Sequence, residues 1–133
     1  MTKIAIIGAG SIVFCKTLLH DVLASGLQDV EFTLMDPNIR KIEWVQQFAE
    51  RVIRENGLSA RVNITSNRQD AVRSADFVVS TFQIGGLDAT VSDYEIPMKY
   101  GVDQCIGDTL SPGGIFRALR SIPVTLDLAH DIE

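Results

Sequence analysis

Between Lys3 and Asp36 the chain changes its hydrophobic period twice, and this limits the possible folds more than any other feature. Lys3 to Ile7 is a nearly continuous apolar run rich in isoleucine, the pattern of a strand buried on both faces. It stops at Gly8-Ala9-Gly10-Ser11. From Ile12 the apolar positions Phe14, Leu18, Val22 and Leu23 take the spacing of one helix face, with Gly26 placed to end it. Val30 to Met35 then reads as a second strand. Strand, helix and strand in just over thirty residues make a β-α-β unit with a right-handed crossover and two parallel neighbouring strands.

The alternation continues. Asp36-Pro37 can start a helix, with Asp36 as N-cap and Pro37 where a missing N–H costs nothing. Its stripe is Val45, Phe48, Ala49 and Val52, and Asn56-Gly57 stops it. Arg61 to Thr65 reads as a third strand, Asn67 caps a short helix that turns Ala71 and Val72 inward, and Phe77 to Phe82 reads as a fourth strand. Beyond Gln83 the pattern breaks at Ile84-Gly85-Gly86. Ser92-x-x-Glu95 has capping-box form and predicts a short helix ending at Gly101. A loop rich in glycine and small polar residues, from Gly107 to Gly114, precedes a last helix with Ile115, Leu119, Ile122, Leu126 and Ala129 spaced four and three apart. The fold class is α/β, a Rossmann-type doubly wound parallel sheet of strand order 3-2-1-4 with an incomplete second half. With no repeat and no linker composition, residues 1–133 are expected to form one nucleotide-binding domain.

Charge and cysteine usage narrow the partners. Twelve Lys+Arg against 17 Asp+Glu give a formal charge of −5, with no basic run longer than two, so neither nucleic acid nor a membrane is an expected partner. No apolar run approaches the roughly 18 residues of a membrane span, and Gly8, Gly10 and Ser11 break the N-terminal apolar segment too early for a signal peptide. A cytoplasmic protein is expected. Cys15 and Cys105 stand far apart, which indicates neither a disulfide framework nor a zinc site, and Cys15 reads as a small core residue.

Gly8-x-Gly10 falls where a buried strand turns into a helix, the context in which a glycine pair points to a dinucleotide. Gly8 permits the tight turn. Gly10 lets the backbone approach a pyrophosphate, which the N–H groups and positive end of the helix then hold, and Ser11 can add a hydroxyl. Val13 stands where a third glycine is usual, so the fingerprint is incomplete. Asp36, at the end of the second strand, can accept hydrogen bonds from both ribose hydroxyls of an adenosine, which favours NAD over NADP, although Arg40 and Lys41 stand nearby. Two plainer readings stay open: a sharp turn without a ligand, and Asp36 as helix N-cap alone.

Four ordered blocks add a family resemblance. Gly8-Ala9-Gly10-Ser11 with Phe14, then Phe82-Gln83-Ile84-Gly85-Gly86, then Glu95-Ile96-Pro97-Met98-Lys99-Tyr100-Gly101, then Ile106-Gly107-Asp108-Thr109 through Arg117-x-x-Arg120-x-Ile122-Pro123, resemble glycoside hydrolase family 4. The last block is most similar to the α-galactosidase and α-glucosidase branch. The resemblance implies hydrolysis of α-glycosides in carbohydrate metabolism by redox and elimination, outside the usual two-carboxylate scheme. NAD takes hydride from C3 of the sugar, a tyrosine removes the acidified C2 proton, and a divalent metal, typically Mn²⁺, stabilises the enediolate-like intermediate.

By that resemblance Gly8, Gly10 and Ser11 match the pyrophosphate loop, Asp36 the ribose ligand, and Gln83 a strand-end position beside the cofactor. Asp108 matches an acid that supports the catalytic tyrosine without being the base. Its plainer reading is a helix cap or Asx turn. Thr90, Lys99 and Arg117 lie in blocks able to reach the sugar, with a solvated surface as the alternative for the two cations. The resemblance further implies that the chain is the N-terminal portion of a longer, homo-oligomeric enzyme whose metal ligands and base are not among these residues, so the chain alone is expected to be inactive. Two other classes remain: an oxidoreductase similar to lactate or malate dehydrogenase, disfavoured because Gln83-Ile84-Gly85-Gly86 lacks an arginine-bearing loop, and a non-catalytic dinucleotide-binding module.

Overall fold

The computed structural model describes residues 1–104 and 110–133. Strands β1 (Thr2–Ile7), β2 (Val30–Met35), β3 (Ala60–Thr65) and β4 (Phe77–Ser80) form one parallel sheet in the order β3-β2-β1-β4. The order expected from the sequence is the order observed. Helices α1 (Ile12–Ala24), α2 (Ile39–Asn56) and α3 (Arg68–Val72) connect these strands, and α4 (Gly86–Lys99) and α5 (Pro112–Ile132) follow. The chain divides into two compact units, Met1–Phe82 and Gln83–Asp131.

In the first unit the parallel register stacks apolar side chains into rows. Ile4 pairs with Phe32 and Phe32 with Val62, while Ile6 pairs with Leu34 and Leu34 with Ile64. Successive strand residues point to opposite faces, so both rows face the same side. There they meet Cys15, Leu19 and Leu23 of α1 and Ile42, Val45 and Ala49 of α2 in one core. Phe32, Ile6, Leu34, Leu19 and Ile42 have no exposed surface. Each such side chain contributes roughly 1.5–3 kcal/mol by leaving water. Gly57 ends α2 in the left-handed conformation, φ 61°, with Leu58 N donating to Ile53 O at 3.0 Å.

Three local expectations are corrected. The buried face of α1 is Cys15, Leu19 and Leu23, four residues apart, and Phe14, one residue and so about 100° round the helix from Cys15, is exposed; Leu18 and Val22 pack at the margin. Asp36 is not the cap of α2: Asn38 holds that place and Ile39 is the first helical residue, since both Asp36 oxygens are engaged elsewhere. Ser92 does not open a helix, because α4 starts at Gly86 after a left-handed Gly85, φ 87°, and the Ser92 hydroxyl bonds back to Asp88 O inside it. Asn67 caps α3 as expected, accepting from Gln69 N and Asp70 N.

In the second unit Ser111 caps α5 by accepting from Gly114 N at 3.2 Å, with Pro112 at its first position. The stripe Ile115, Leu119, Ile122 and Leu126 forms on α5 but lies exposed, and the buried residues are Gly113, Gly114 and Leu128.

Candidate cofactor site

The site is built from the carboxyl ends of β1 and β2. Beyond Ile7 the chain turns at Gly8 with φ +86°, and a Cβ there would lie 2.6 Å from the Phe82 backbone. Only glycine fits. Gly8 N and Ala9 N both donate to Met35 O, at 2.8 and 2.9 Å, and Thr81 Oγ1 donates to Gly8 O at 3.0 Å. The turn is therefore tied to strand ends on both sides before any ligand arrives.

Gly10 has a different reason to lack a side chain. A Cβ would run into the Asp36 carboxylate, whose Oδ2 accepts from Gly10 N at 3.1 Å while Oδ1 accepts from Asn38 N at 2.8 Å. A carboxylate offers about four lone-pair positions, so two acceptor sites remain. The N-terminus of α1 is open: Ser11 sits at its N-cap in extended conformation without a side-chain cap bond, and no acid lies in the first turn. Helix N–H groups left without side-chain caps above a glycine cradle are the arrangement that holds a phosphate. Val13 is exposed, so its side chain points away from the strand and a third glycine is not needed for helix–strand packing. Gly8, Gly10, Ser11 and Asp36 are thus brought together, and they fit a dinucleotide.

The other expected site residues belong to the second unit. Gln83 Nε2 donates to Thr90 Oγ1, which donates to Gly86 O, so Gln83, in the turn before α4, is tied to the first turns of that helix. Lys99 and Arg117 are both exposed. Asp108, and Cys105 with it, lie outside the described residues.

A buried polar cluster in this unit was not anticipated. Arg120 Nη1 and Nη2 donate to Asp93 Oδ1 and Oδ2 at 2.8 and 2.6 Å, and Arg120 Nε donates to Ile84 O at 3.4 Å. Asp93 is 3% exposed. The guanidinium holds its carboxyl below the usual aspartate range against the opposing effect of burial, and Asp93 in turn raises Arg120. Buried Gln104 donates from Nε2 to Asp93 O at 2.8 Å. The signal that could have revealed Asp93 is its spacing: Ala89, Asp93 and Pro97 recur every four residues, and a carboxylate on the inward face of a helix needs a cation.

Among the described residues no three His, Cys, Asp or Glu side chains come together as a metal site. Burial pushes the Cys15 thiol up to about 12, which makes it a core atom, not a nucleophile. A groove of about 250 Å³ lined by Lys3, Glu31, Asn63 and Asp70 contains none of the glycine-turn residues, and its carboxylates are engaged, Glu31 Oε1 accepting from Asn63 Nδ2 at 2.7 Å and Asp70 pairing with Arg73 at 3.1 Å. Among the described residues no helix is long and apolar enough to cross a membrane.

Comparison with known proteins gives a consistent outcome. Residues 3–133 match the family model described as Family 4 glycosyl hydrolase. The alpha-galactosidase of Rhizobium meliloti (strain 1021) is 46% identical over 132 residues, which cover 98% of this chain and 27% of that protein. The alpha-galactosidase of Bacillus subtilis (strain 168) is 41% identical over 135 residues, 100% of this chain and 31% of that protein. A 6-phospho-beta glucosidase from Thermotoga maritima, solved with manganese, NAD⁺ and glucose-6-phosphate, superposes with a TM-score of 0.84 at 28% identity over 99% of this chain and 31% of that one. The chain thus spans under a third of the length of these relatives.

Proposed function

This chain belongs to the family 4 glycosyl hydrolases, and from that premise we propose that residues 1–133 are the NAD-binding domain of a cytoplasmic glycosidase that cleaves α-glycosides, of α-galactosidase or α-glucosidase type, by NAD-dependent oxidation and elimination. The observation that carries the cofactor reading is the open N-terminus of α1 above Gly8 and Gly10, with Asp36 fixed beside it by Gly10 N. The dehydrogenase alternative has no comparable support, since every relative compared above is a glycosidase.

Each residue has a physical task. The first-turn N–H groups of α1, with the Ser11 hydroxyl, hold the pyrophosphate, and Gly8 and Gly10 let it come close. The two free acceptor sites of Asp36 take the adenosine ribose hydroxyls, and its charge repels a 2′-phosphate. Gln83, at the chain's exit from β4, stands beside the cofactor. Thr90, Lys99 and Arg117 serve the sugar, and Asp108 supports a base that these residues do not supply. Bound NAD⁺ supplies a hydride acceptor for oxidising a sugar hydroxyl.

Calorimetry on the 133-residue chain tests the cofactor reading: NAD⁺ binds, and NADP⁺ binds at least about tenfold more weakly, the effect of roughly 1.4 kcal/mol of repulsion. An absence of NAD⁺ binding overturns it. The glycosidase reading is tested by grafting residues 1–133 onto the remaining part of the Rhizobium meliloti enzyme. Nitrophenyl α-galactoside hydrolysis that requires added NAD⁺ supports the proposal, and an inert chimera beside an active parent rejects it.

A further inference from the structure

The second unit contains an ion pair that no part of the proposed chemistry uses, and its connections say what it does. One guanidinium binds two segments at once. Arg120 spends two N–H groups on Asp93 of α4 and a third on Ile84 O, in the turn that carries Gln83. That turn is shaped around the guanidinium: Gly85 has φ +87°, and a Cβ there would lie 3.3 Å from Arg120 Nε and 2.5 Å from Ala89 Cβ. On the far side, a Cβ at Gly113 would collide with Asp93 O, the same atom that Gln104 Nε2 binds, so the start of α5 packs directly on the Asp93 backbone.

An ion pair whose carboxylate is buried and whose guanidinium is partly exposed is a poor device for stability alone, because apolar residues of similar volume often do as well or better. What the fork geometry adds is orientation: two parallel bonds fix the guanidinium plane, and the plane fixes Nε. From this geometry we propose that the Asp93–Arg120 pair is the positioning element for the Gln83–Gly86 turn, setting where Gln83 presents its amide. Asp93 and the Gln83–Thr90 bond hold the turn from the α4 side, and Arg120 holds it from α5. The proposal deepens the cofactor reading and rests on Gln83 as a cofactor neighbour.

Lysine at 120 keeps the charge near Asp93 but cannot bind a carboxylate with a fork and a carbonyl with a third, fixed N–H. Arg120→Lys therefore separates orientation from charge. In calorimetry with NAD⁺ on the full chain, Gln83→Ala and Arg120→Lys each weaken binding about fivefold to tenfold, the effect of one lost hydrogen bond, and the double variant is no weaker than either single one. Asp93→Asn, which keeps one acceptor, falls between wild type and Arg120→Lys and serves should the lysine variant not fold. Hydrogen exchange reads the same clamp without a ligand: amides at Gln83–Gly86 exchange faster in Arg120→Lys while the rest of α4 does not. Unchanged exchange there, wild-type NAD⁺ affinity in Arg120→Lys, or a double variant whose loss is the product of the two single losses would overturn the proposal. If wild type binds no NAD⁺, the cofactor reading fails, and the exchange data alone decide the clamp.

Discussion

The two units bury different chemistry. In Met1–Phe82 the fully buried side chains are apolar and lie in register across three strands and two helices, from Ile6 and Phe32 to Leu19 and Ile42. Among the described residues of Gln83–Asp131 the buried set is Asp93, Pro97, Gln104, Gly113, Gly114 and Leu128, while Leu87, Ile115, Leu119 and Leu126 are exposed. The first unit is held by area removed from water, which has no direction and tolerates small displacements. The second is held by a guanidinium fork and by glycines that let helices and turns approach, and both depend on direction. One unit should respond to lost volume and the other to lost geometry.

The largest effect is expected where volume is lost from the rows. Phe32→Ala removes a ring from between Ile4 and Val62, and should cost about 3–5 kcal/mol of unfolding free energy in a urea titration. A loss below 1 kcal/mol would mean that the rows do not carry the unit. Next comes Gly8→Ala, which strains a positive φ and drives a methyl group to within 2.6 Å of the Phe82 backbone. It should cost about 1–3 kcal/mol and abolish NAD⁺ binding seen by calorimetry. Retention of binding would show that the turn does not need its present shape.

The same contrast explains what the sequence disclosed. The four strands, their order and the glycine turn were legible because hydrophobic period and β-α-β spacing are written locally, residue by residue. Gly8, Gly10 and Asp36 could be placed together since strand ends bring them together in any sheet of this order. Asp36 reads both as a helix cap and as a ribose ligand, because local sequence cannot tell a carboxylate that caps from one that reaches back to Gly10 N. Asp93 and Arg120 stand 27 residues apart on separate helices, and their pairing depends on how α4 and α5 pack. The exposed stripe of α5 reads as a core face by spacing alone, since periodicity shows that a helix is amphipathic and not whether a neighbour covers it.

A titration sharpens the comparison further. Arg120 lowers the Asp93 carboxyl in the folded state, so the pair's stabilisation is fully present above the unfolded aspartate value near 3.8 and is lost as pH falls through the lower folded value. Hydrogen exchange measured down the acid range should show the second unit loosening below that value while the amides of β1 and β2 stay protected. Asp93→Asn should remove this acid step. An equal loosening of both units would show that general charge repulsion, and not the pair, governs the transition.

The smallest effect is expected on the exposed apolar positions of the second unit. Leu87 and Leu119 are 78% and 69% exposed, so Gln there takes little surface out of a packed environment and keeps good helix propensity. Each substitution should shift the unfolding free energy by less than about 0.5 kcal/mol, against the several lost at Phe32. The two positions are on different helices, so their effects should also add. A loss of about 2 kcal/mol at either one would reverse the contrast between the units, because it requires that the side chain be covered in solution. If that loss grew with protein concentration, the cover would be a second copy of the chain, and if it did not, the cover would come from within the unit itself.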